Sequence, residues 1–342
     1  MAWILLATLK DNKDVFCVSN QVQSVPHANT GSNPPYKGVC RPVKNRNSIA
    51  PIWGFVMLTT NILTTMGTQR LIFTDLDGSL LDHNTYSHKP AVSLLETLNK
   101  IGIPVILTSS KTLAEIVPLR EMISNSHPFI AENGAGIYVP MNYFSYLPSS
   151  WRENEGFMLY SKSPSREVIL EIIDTCRQQF KMEYQTFYHL FEREGSDGIS
   201  RVTGLLAHQS ESANKREFSE TVIWLSTDSR KQEFIETLNS KGLSVEQGGR
   251  FLSVTGHASK GRALKYLTNI FKQQHHVNLC ETLAIGDAAN DKSMLEIADT
   301  ALIIRSRHHI PPKLKRTDGI SISKEIGPKG WVTGVTSWLQ NF

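Results

Sequence analysis

The chain has 342 residues, 40% of them hydrophobic and 20% charged. That fits a globular protein of about two domains and excludes a collagen-like fibre, a wholly disordered chain and a multi-span membrane protein. Its 36 basic and 32 acidic residues leave a net charge of +4. Six basic and two acidic residues lie within residues 1–65, so the remainder is balanced at 30 of each sign. No nucleic-acid partner is expected from such a body. The four cysteines, Cys17, Cys40, Cys176 and Cys280, form no C-x-x-C pair. They are too few for a disulfide framework and fit no zinc spacing, which points to a reducing compartment and a cytoplasmic protein.

Residues 1–68 read as an extension outside the fold. Residues 19–50 are rich in Asn, Pro, Ser and Gly without a sustained period, a loop-like or disordered composition. Residues 47–69 carry no charge. That stretch is long enough for a membrane span, but Pro51, Gly54, Asn61 and several threonines argue against one, and no stable membrane association is expected. A targeting peptide and a translation start at Met66 remain open alternatives.

From residue 70 the pattern sharpens. Leu71-Ile72-Phe73 predicts a short strand ending in Asp75-Leu76-Asp77-Gly78. Ala91, Leu94, Leu95 and Leu98 form one helical face between Pro90 and Gly102. A strand over 103–107 ends in Thr108-Ser109-Ser110-Lys111 and is followed by a helix carrying Leu113, Ile116 and Val117. Asn133-Gly134 reads as a hairpin turn between strands over 129–131 and 137–139. The middle, 150–255, reads as an α+β insert. A helix there carries Ile169, Ile172, Ile173, Cys176 and Phe180, strands cover 221–225, 243–245 and 251–254, and residues 182–204 give no clear signal. The first pattern then resumes, with a helix from Lys260, a strand over 282–285 ending in Gly286-Asp287, a helix over 291–298 and a strand over 301–304. Strand–helix alternation implies an α/β, doubly wound (Rossmann-like) parallel sheet. It is split into 69–149 and 256–342 by a cap over 150–255.

Ligands of an open parallel sheet bind at the carboxyl ends of its strands. Those ends carry Asp75 and Asp77, Ser109, and Asp287 with Asp291, while Lys260 opens a helix. Four carboxylates cannot ionise side by side without a cation, and an oxygen-only set suits Mg²⁺ with a substrate phosphate. Asp75 is then the nucleophile, forming an aspartyl-phosphate. Asp77, two residues on along an extended chain, faces the same side and serves as general acid and base. Gly78 permits the sharp turn and a close phosphate. Ser109 and nearby N–H groups hold phosphate oxygens, and Lys260 offsets charge. Asp287 ligates the metal directly, and Asp291 does so through water or Asn290.

Asp75-x-Asp77-Gly-Ser-Leu-Leu with Gly286-Asp287-Ala-Ala-Asn290-Asp291 resembles the haloacid dehalogenase superfamily of phosphatases. A cap in this position resembles its type IIB, Cof-like members, with a C2B cap. Val105 to Thr112, Ile130-Ala-Glu132-Asn133-Gly-Ala135 and Arg216-Glu-Phe-Ser219-Glu220 resemble mannosyl-3-phosphoglycerate phosphatases. Ser109-Ser110-Lys111 stands where the superfamily generally has Thr-Gly-Arg. The resemblance covers about residues 70–340 and implies Mg²⁺-dependent hydrolysis of mannosyl-3-phosphoglycerate to mannosylglycerate, a compatible solute, and phosphate. It implies substrate contacts by Gly78, Ser110, Lys111, Glu132, Asn133, Arg216, Ser219, Glu220 and Asn290. Among these, Arg216 suits a carboxylate by bidentate pairing, and Ser219 and Glu220 suit hydroxyls.

The alternatives are a glucosyl-3-phosphoglycerate phosphatase, a general Cof-like sugar phosphatase, a phosphomutase that excludes water, and a non-catalytic sensor. His275-His276 and His308-His309 are adjacent pairs that share no helix face and read as surface histidines. Trp224 and Phe234 read as cap core rather than a sugar platform, and Cys280 as an inert thiol.

Overall fold

A computed structural model of the chain describes residues 68–340, apart from 249, 278, 308 and 309. The expectations for residues 1–67, including Cys17 and Cys40, and for His308-His309 lie outside the described residues. The first segment runs β1 (Thr68–Thr74), α1 (Val92–Lys100), β2 (Val105–Thr108), α2 (Leu113–Met122), β3 (Phe129–Ala131), β4 (Gly136–Pro140), β5 (Arg152–Asn154) and β6 (Phe157–Tyr160). The inserted segment holds α3 (Arg166–Asp174), β7 (Tyr184–Thr186), α4 (Phe187–Thr203), α5 (Ala207–Asn214), β8 (Ser219–Trp224), α6 (Asp228–Ser240), β9 (Ser244–Gly248) and β10 (Phe251–Thr255). The chain closes with α7 (Lys260–His275), β11 (Leu279–Gly286), α8 (Lys292–Ile297), β12 (Thr300–Arg305), β13 (Ile320–Ile326) and α9 (Gly327–Gln340).

Nine strands form one sheet in the order β13-β12-β11-β1-β2-β3-β4-β6-β5. The pairs from β13 to β3 are parallel, and β4, β6 and β5 continue as an antiparallel edge. Because successive side chains of a strand face opposite sides, Ile72 enters one apolar layer with Leu107, Phe129 and Trp331. Leu71 and Phe73 enter the other with Leu264, Leu267 and Phe271. Burying both faces explains why β1 reads as a continuous apolar run. Side-chain caps set the helix starts near the site. Thr112 and Glu115 form a reciprocal capping box on α2, and Ser259 accepts from the Arg262 N–H at the start of α7.

The insert is a four-stranded antiparallel sheet, β7-β8-β10-β9. Ile169, Ile173, Val222, Phe234, Leu238 and Val254 pack in its own apolar core, and Trp224 packs partly buried against it. His275 and His276 are exposed. Cys280 is buried, and burial raises its thiol pKa.

Several elements differ from the sequence expectation. The nine-stranded sheet continues through β5 and β6 to Tyr160, beyond the expected cap boundary at 150, because these strands pair with β4. α3 stops at Asp174, although Cys176 and Phe180 stay buried in the same core. The apolar spacing there persists through turns rather than helix. Residues 182–204 form β7 and α4, and α4 is interrupted at Gly195, whose φ of 61° breaks the helical period. β13 and α9 were not anticipated.

Candidate active site

β1 delivers Asp75 to the carboxyl edge of the sheet, where its N–H donates to Ile285 O on the neighbouring β11 at 2.8 Å. Leu76 turns into the core, fully buried, and Asp77 returns to the open side. Lys260, the first residue of α7, is completely buried, and its Nζ lies 2.6 Å from both Asp75 Oδ1 and Asp291 Oδ1. Asp291 Oδ2 accepts from the N–H groups of Asp287 and Ala288 at 3.0 and 3.1 Å. Both oxygens of Asp291 are thus engaged within the protein, whereas Asp287 Oδ2 is buried without a hydrogen-bond partner among the described residues. One oxygen from each of Asp75, Asp287 and Asp291 falls within a 4.8 Å cluster.

The electrostatics follow from burial. Desolvation raises the Asp75 carboxyl well above the usual range, Asp291 pushes it further up, and Lys260 pulls the other way. Asp287 is pushed up to about 7, first by burial and then by Asp291. Burial works to deprotonate Lys260, but Asp291 and Asp75 outweigh it and hold the ammonium charged. Full ionisation of the cluster would gather more negative charge than Lys260 alone offsets, which is why its carboxyls are pushed upward. Its hard oxygen donors and the orphaned Asp287 oxygen suit a small divalent cation such as Mg²⁺.

Asp77 Oδ2 lies 2.9 Å from Lys111 Nζ, and its Oδ1 is buried without a hydrogen-bond partner among the described residues. The N–H groups following Gly78 turn the chain back through Leu81. Gly78 itself has φ +82°, and a Cβ there would sit 2.5 Å from Asp287 Oδ2. Glycine is required at this point by the close approach of the acidic loops. Gly134, φ +96°, plays a similar part, since a Cβ would meet Ser259 O at the start of α7.

A cleft of about 660 Å³ opens between the sheet edge and the insert. Asp75, Asp77, Ser110, Lys111, Asn133, Asp287 and Asn290 line its floor, and Arg216 lines the side facing them. Phe187, Thr221, Arg250, Phe251 and Ser253, none of them anticipated from the sequence, form much of its roof. Asn133 bridges the two parts, donating to Ser253 Oγ at 3.1 Å and accepting from Asn290 at 3.3 Å.

Four expected site residues are used inside the protein instead. Ser109 is almost fully buried at the end of β2, and its Oγ accepts from the Lys111 N–H at 3.2 Å. It shapes the loop that presents Ser110 and Lys111. Glu132 points at the insert, accepting from the N–H groups of Glu217 and Phe218 and from Ser219 Oγ. Ser219 gives its hydroxyl proton to that bond, and its oxygen accepts from Arg216 Nη1. Glu220 is fully buried in an ion pair with Arg166 at 2.6 Å. The motif spacing locates these residues near the site but does not reveal which ones face inward.

Trp331 of α9 was also missed. It is fully buried and donates from Nε1 to Thr74 Oγ1 at 3.0 Å, beside the nucleophile candidate. Its burial and its hydrogen bond come from α9, which no motif announces.

Over residues 72–309 the sequence matches the family described as haloacid dehalogenase-like hydrolases. It is 31% identical over 264 residues to a glucosyl-3-phosphoglycerate/mannosyl-3-phosphoglycerate phosphatase of Methanococcoides burtonii, covering 77% of this chain and 94% of that protein. A crystal structure from Thermotoga maritima superposes with a TM-score of 0.53 at 21% identity, covering 80% of this chain and 98% of that one. A sugar phosphatase of haloacid dehalogenase subclass IIB superposes with a TM-score of 0.53 at 16% identity, covering 79% and 99%.

Proposed function

This chain belongs to the haloacid dehalogenase-like hydrolases, acting on phosphoric monoesters, and we propose that its substrate is a glycosyl-3-phosphoglycerate, mannosyl or glucosyl. The related Methanococcoides burtonii phosphatase is named for both sugars. Arg216 carries the reading. It lines the cleft, its Nε is buried without a hydrogen-bond partner among the described residues, and its Nη1 lies 3.4 Å from Ser110 O at the phosphate end of the site. A guanidinium so close to the phosphate end suits a carboxylate on the same three-carbon unit as the phosphate. The sugar would then lie under Phe187, Arg250 and Phe251.

Asp75 attacks phosphorus through its cleft-facing carboxylate, and the glyceryl oxygen leaves with a proton from Asp77. An aspartyl-phosphate results, which water, deprotonated by Asp77, then hydrolyses. Lys260 holds Asp75 in line and offsets the charge gathered on the phosphoryl group. Lys111 and the amides around Ser110 bind phosphoryl oxygens. Mg²⁺ would be held by Asp75 and Asp287, with Asp291 orienting that loop, and it supplies positive charge to the phosphoryl oxygens. The insert serves as a C2B-type cap that excludes stray water. No helix among the described residues is long and apolar enough to cross a membrane.

The test is phosphate release from mannosyl- and glucosyl-3-phosphoglycerate, each with Mg²⁺ and with chelator. Mg²⁺-dependent release from either supports the reading. Release from neither, with turnover of simple sugar phosphates, replaces it with a general sugar phosphatase.

A further inference from the structure

Glu132 sits at the end of β3 in a left-handed conformation, φ 49°, and the following Asn133 has φ 56°. Non-glycine residues adopt that region at a cost, and it persists where the surroundings impose it. The side chain is 1% exposed; burial raises its carboxyl, and the charge of Arg216 pulls the other way. Three successive residues of the insert converge on it. Oε1 accepts from the Glu217 N–H at 2.9 Å, and Oε2 accepts from the Phe218 N–H at 3.1 Å and from Ser219 Oγ at 2.5 Å.

The segment is held from its other side as well. Glu217 Oε1 accepts from Tyr138 Oη and Asn154 Nδ2, both at 3.1 Å and both from the nine-stranded sheet. The hydroxyl of Ser219, which donates to Glu132, also accepts from Arg216 Nη1 at 3.0 Å. A chain of hydrogen bonds thus runs from a buried core carboxylate through Ser219 to the guanidinium that lines the cleft.

We propose that Glu132 is a positioning residue, which docks segment 217–219 on the core and through Ser219 aims Arg216 at the carboxylate of the substrate. The inference rests on the reading of Arg216 as the carboxylate partner. A carboxylate is the suitable group here because it offers only acceptors, and all three insert partners are donors. A glutamine would turn an N–H₂ toward at least one of them. A long arginine otherwise has many rotamers, and fixing one of them lowers the ordering cost of binding.

The test is a double-mutant cycle read on two substrates: whichever of mannosyl- and glucosyl-3-phosphoglycerate the unaltered protein hydrolyses faster, and p-nitrophenyl phosphate, which lacks a carboxylate. Ser219→Ala cuts the relay and leaves both backbone bonds to Glu132, so it folds even if Glu132→Gln does not. Ser219→Ala is expected to lower the ratio of kcat/KM on the first substrate to that on the second by about tenfold, mainly through KM. Glu132→Gln should act in the same direction and more strongly. In an Arg216→Ala background the Ser219→Ala penalty should vanish, because the residue it acts through is gone. If the penalties instead add, or Ser219→Ala slows both substrates alike, Glu132 and Ser219 are only structural and the inference falls. If Arg216→Ala leaves the ratio unchanged, or the unaltered protein hydrolyses neither mannosyl- nor glucosyl-3-phosphoglycerate, the substrate reading falls and takes this inference with it.

Discussion

Lys111 Nζ lies 2.9 Å from Asp77 Oδ2, which leaves Asp77 Oδ1 as the oxygen without a partner. The lysine therefore fixes which face of the carboxyl group is available to the leaving oxygen. Glu115 lies 3.9 Å from the same ammonium, and Asp77 and Glu115 together keep Lys111 charged against the opposing effect of burial. Lys111→Met should lower kcat on a sugar phosphate by roughly 10–100-fold, part of the range for positioned acid–base catalysis. The loss should be clearly smaller on p-nitrophenyl phosphate, whose leaving group needs little protonation. Equal losses on both substrates would mean that Lys111 acts only as a phosphate ligand and not also through Asp77.

Asp75→Asn should lower turnover by about 10⁴-fold or more, as removal of a nucleophile does, and leave the fold intact. The amide keeps the shape of the buried side chain. It also relieves the repulsion from Asp291 that raises the Asp75 carboxyl, and Lys260 retains Asp291 at 2.6 Å. Thermal unfolding of the variant should therefore occur at or above the temperature of the unaltered protein. Near-normal hydrolysis would remove Asp75 from the nucleophile's role.

Gly78→Ala tests the packing of the two acidic loops. Its Cβ would enter within 2.5 Å of Asp287 Oδ2 at a backbone φ of +82°, so either the carboxylate or the turn must shift. The expected result is at least about tenfold weaker divalent-cation affinity by isothermal titration, with a correspondingly higher Mg²⁺ requirement for activity. Unchanged cation affinity would show that Asp287 has room to rotate and still bind.

The gathering of the acidic residues at one sheet edge was legible from the sequence because it is local. Asp75 and Asp77, and Asp287 and Asp291, each stand at the end of one apolar strand, and a parallel sheet brings strand ends together. The doubly wound core was legible for the same reason, since β1, β2 and β11 are short apolar runs punctuated by polar residues. The substrate side was not legible. Glu132, Ser219 and Glu220 carry polar groups of the expected kind, yet each is turned toward a buried partner. Orientation there depends on how the insert docks, which no local period encodes. Phe251 opens β10, and the directions of its side chains depend on the pairing of β9 with β10. Trp331 reaches Thr74 across 257 positions, a contact that only the packed α9 creates.

Asp287 links pH, stability and cation binding. Burial and the Asp291 charge raise its pKa from an ordinary 3.8 to about 7 in the folded protein without a cation. Between those values the unfolded chain has released its proton while the folded chain retains it. The stability from this group is thus fully present below about pH 4 and is lost as pH rises through about 7. The loss amounts to a few kcal/mol at most, at about 1.4 kcal/mol per pKa unit. In chelator, Asp287→Asn should then raise the Tm at pH 8 by several degrees, given roughly 2–4 °C per kcal/mol, and change it little at pH 4. Adding Mg²⁺ at pH 8 should raise the Tm of the unaltered protein and leave the variant nearly unmoved, because bound cation takes the place of the proton. Mg²⁺ affinity should likewise strengthen from pH 6 to pH 8 and then level off. A Tm difference between the two proteins that is the same at pH 4 and pH 8, or a cation affinity indifferent to pH over that interval, would show that Asp287 is already ionised in the folded chain.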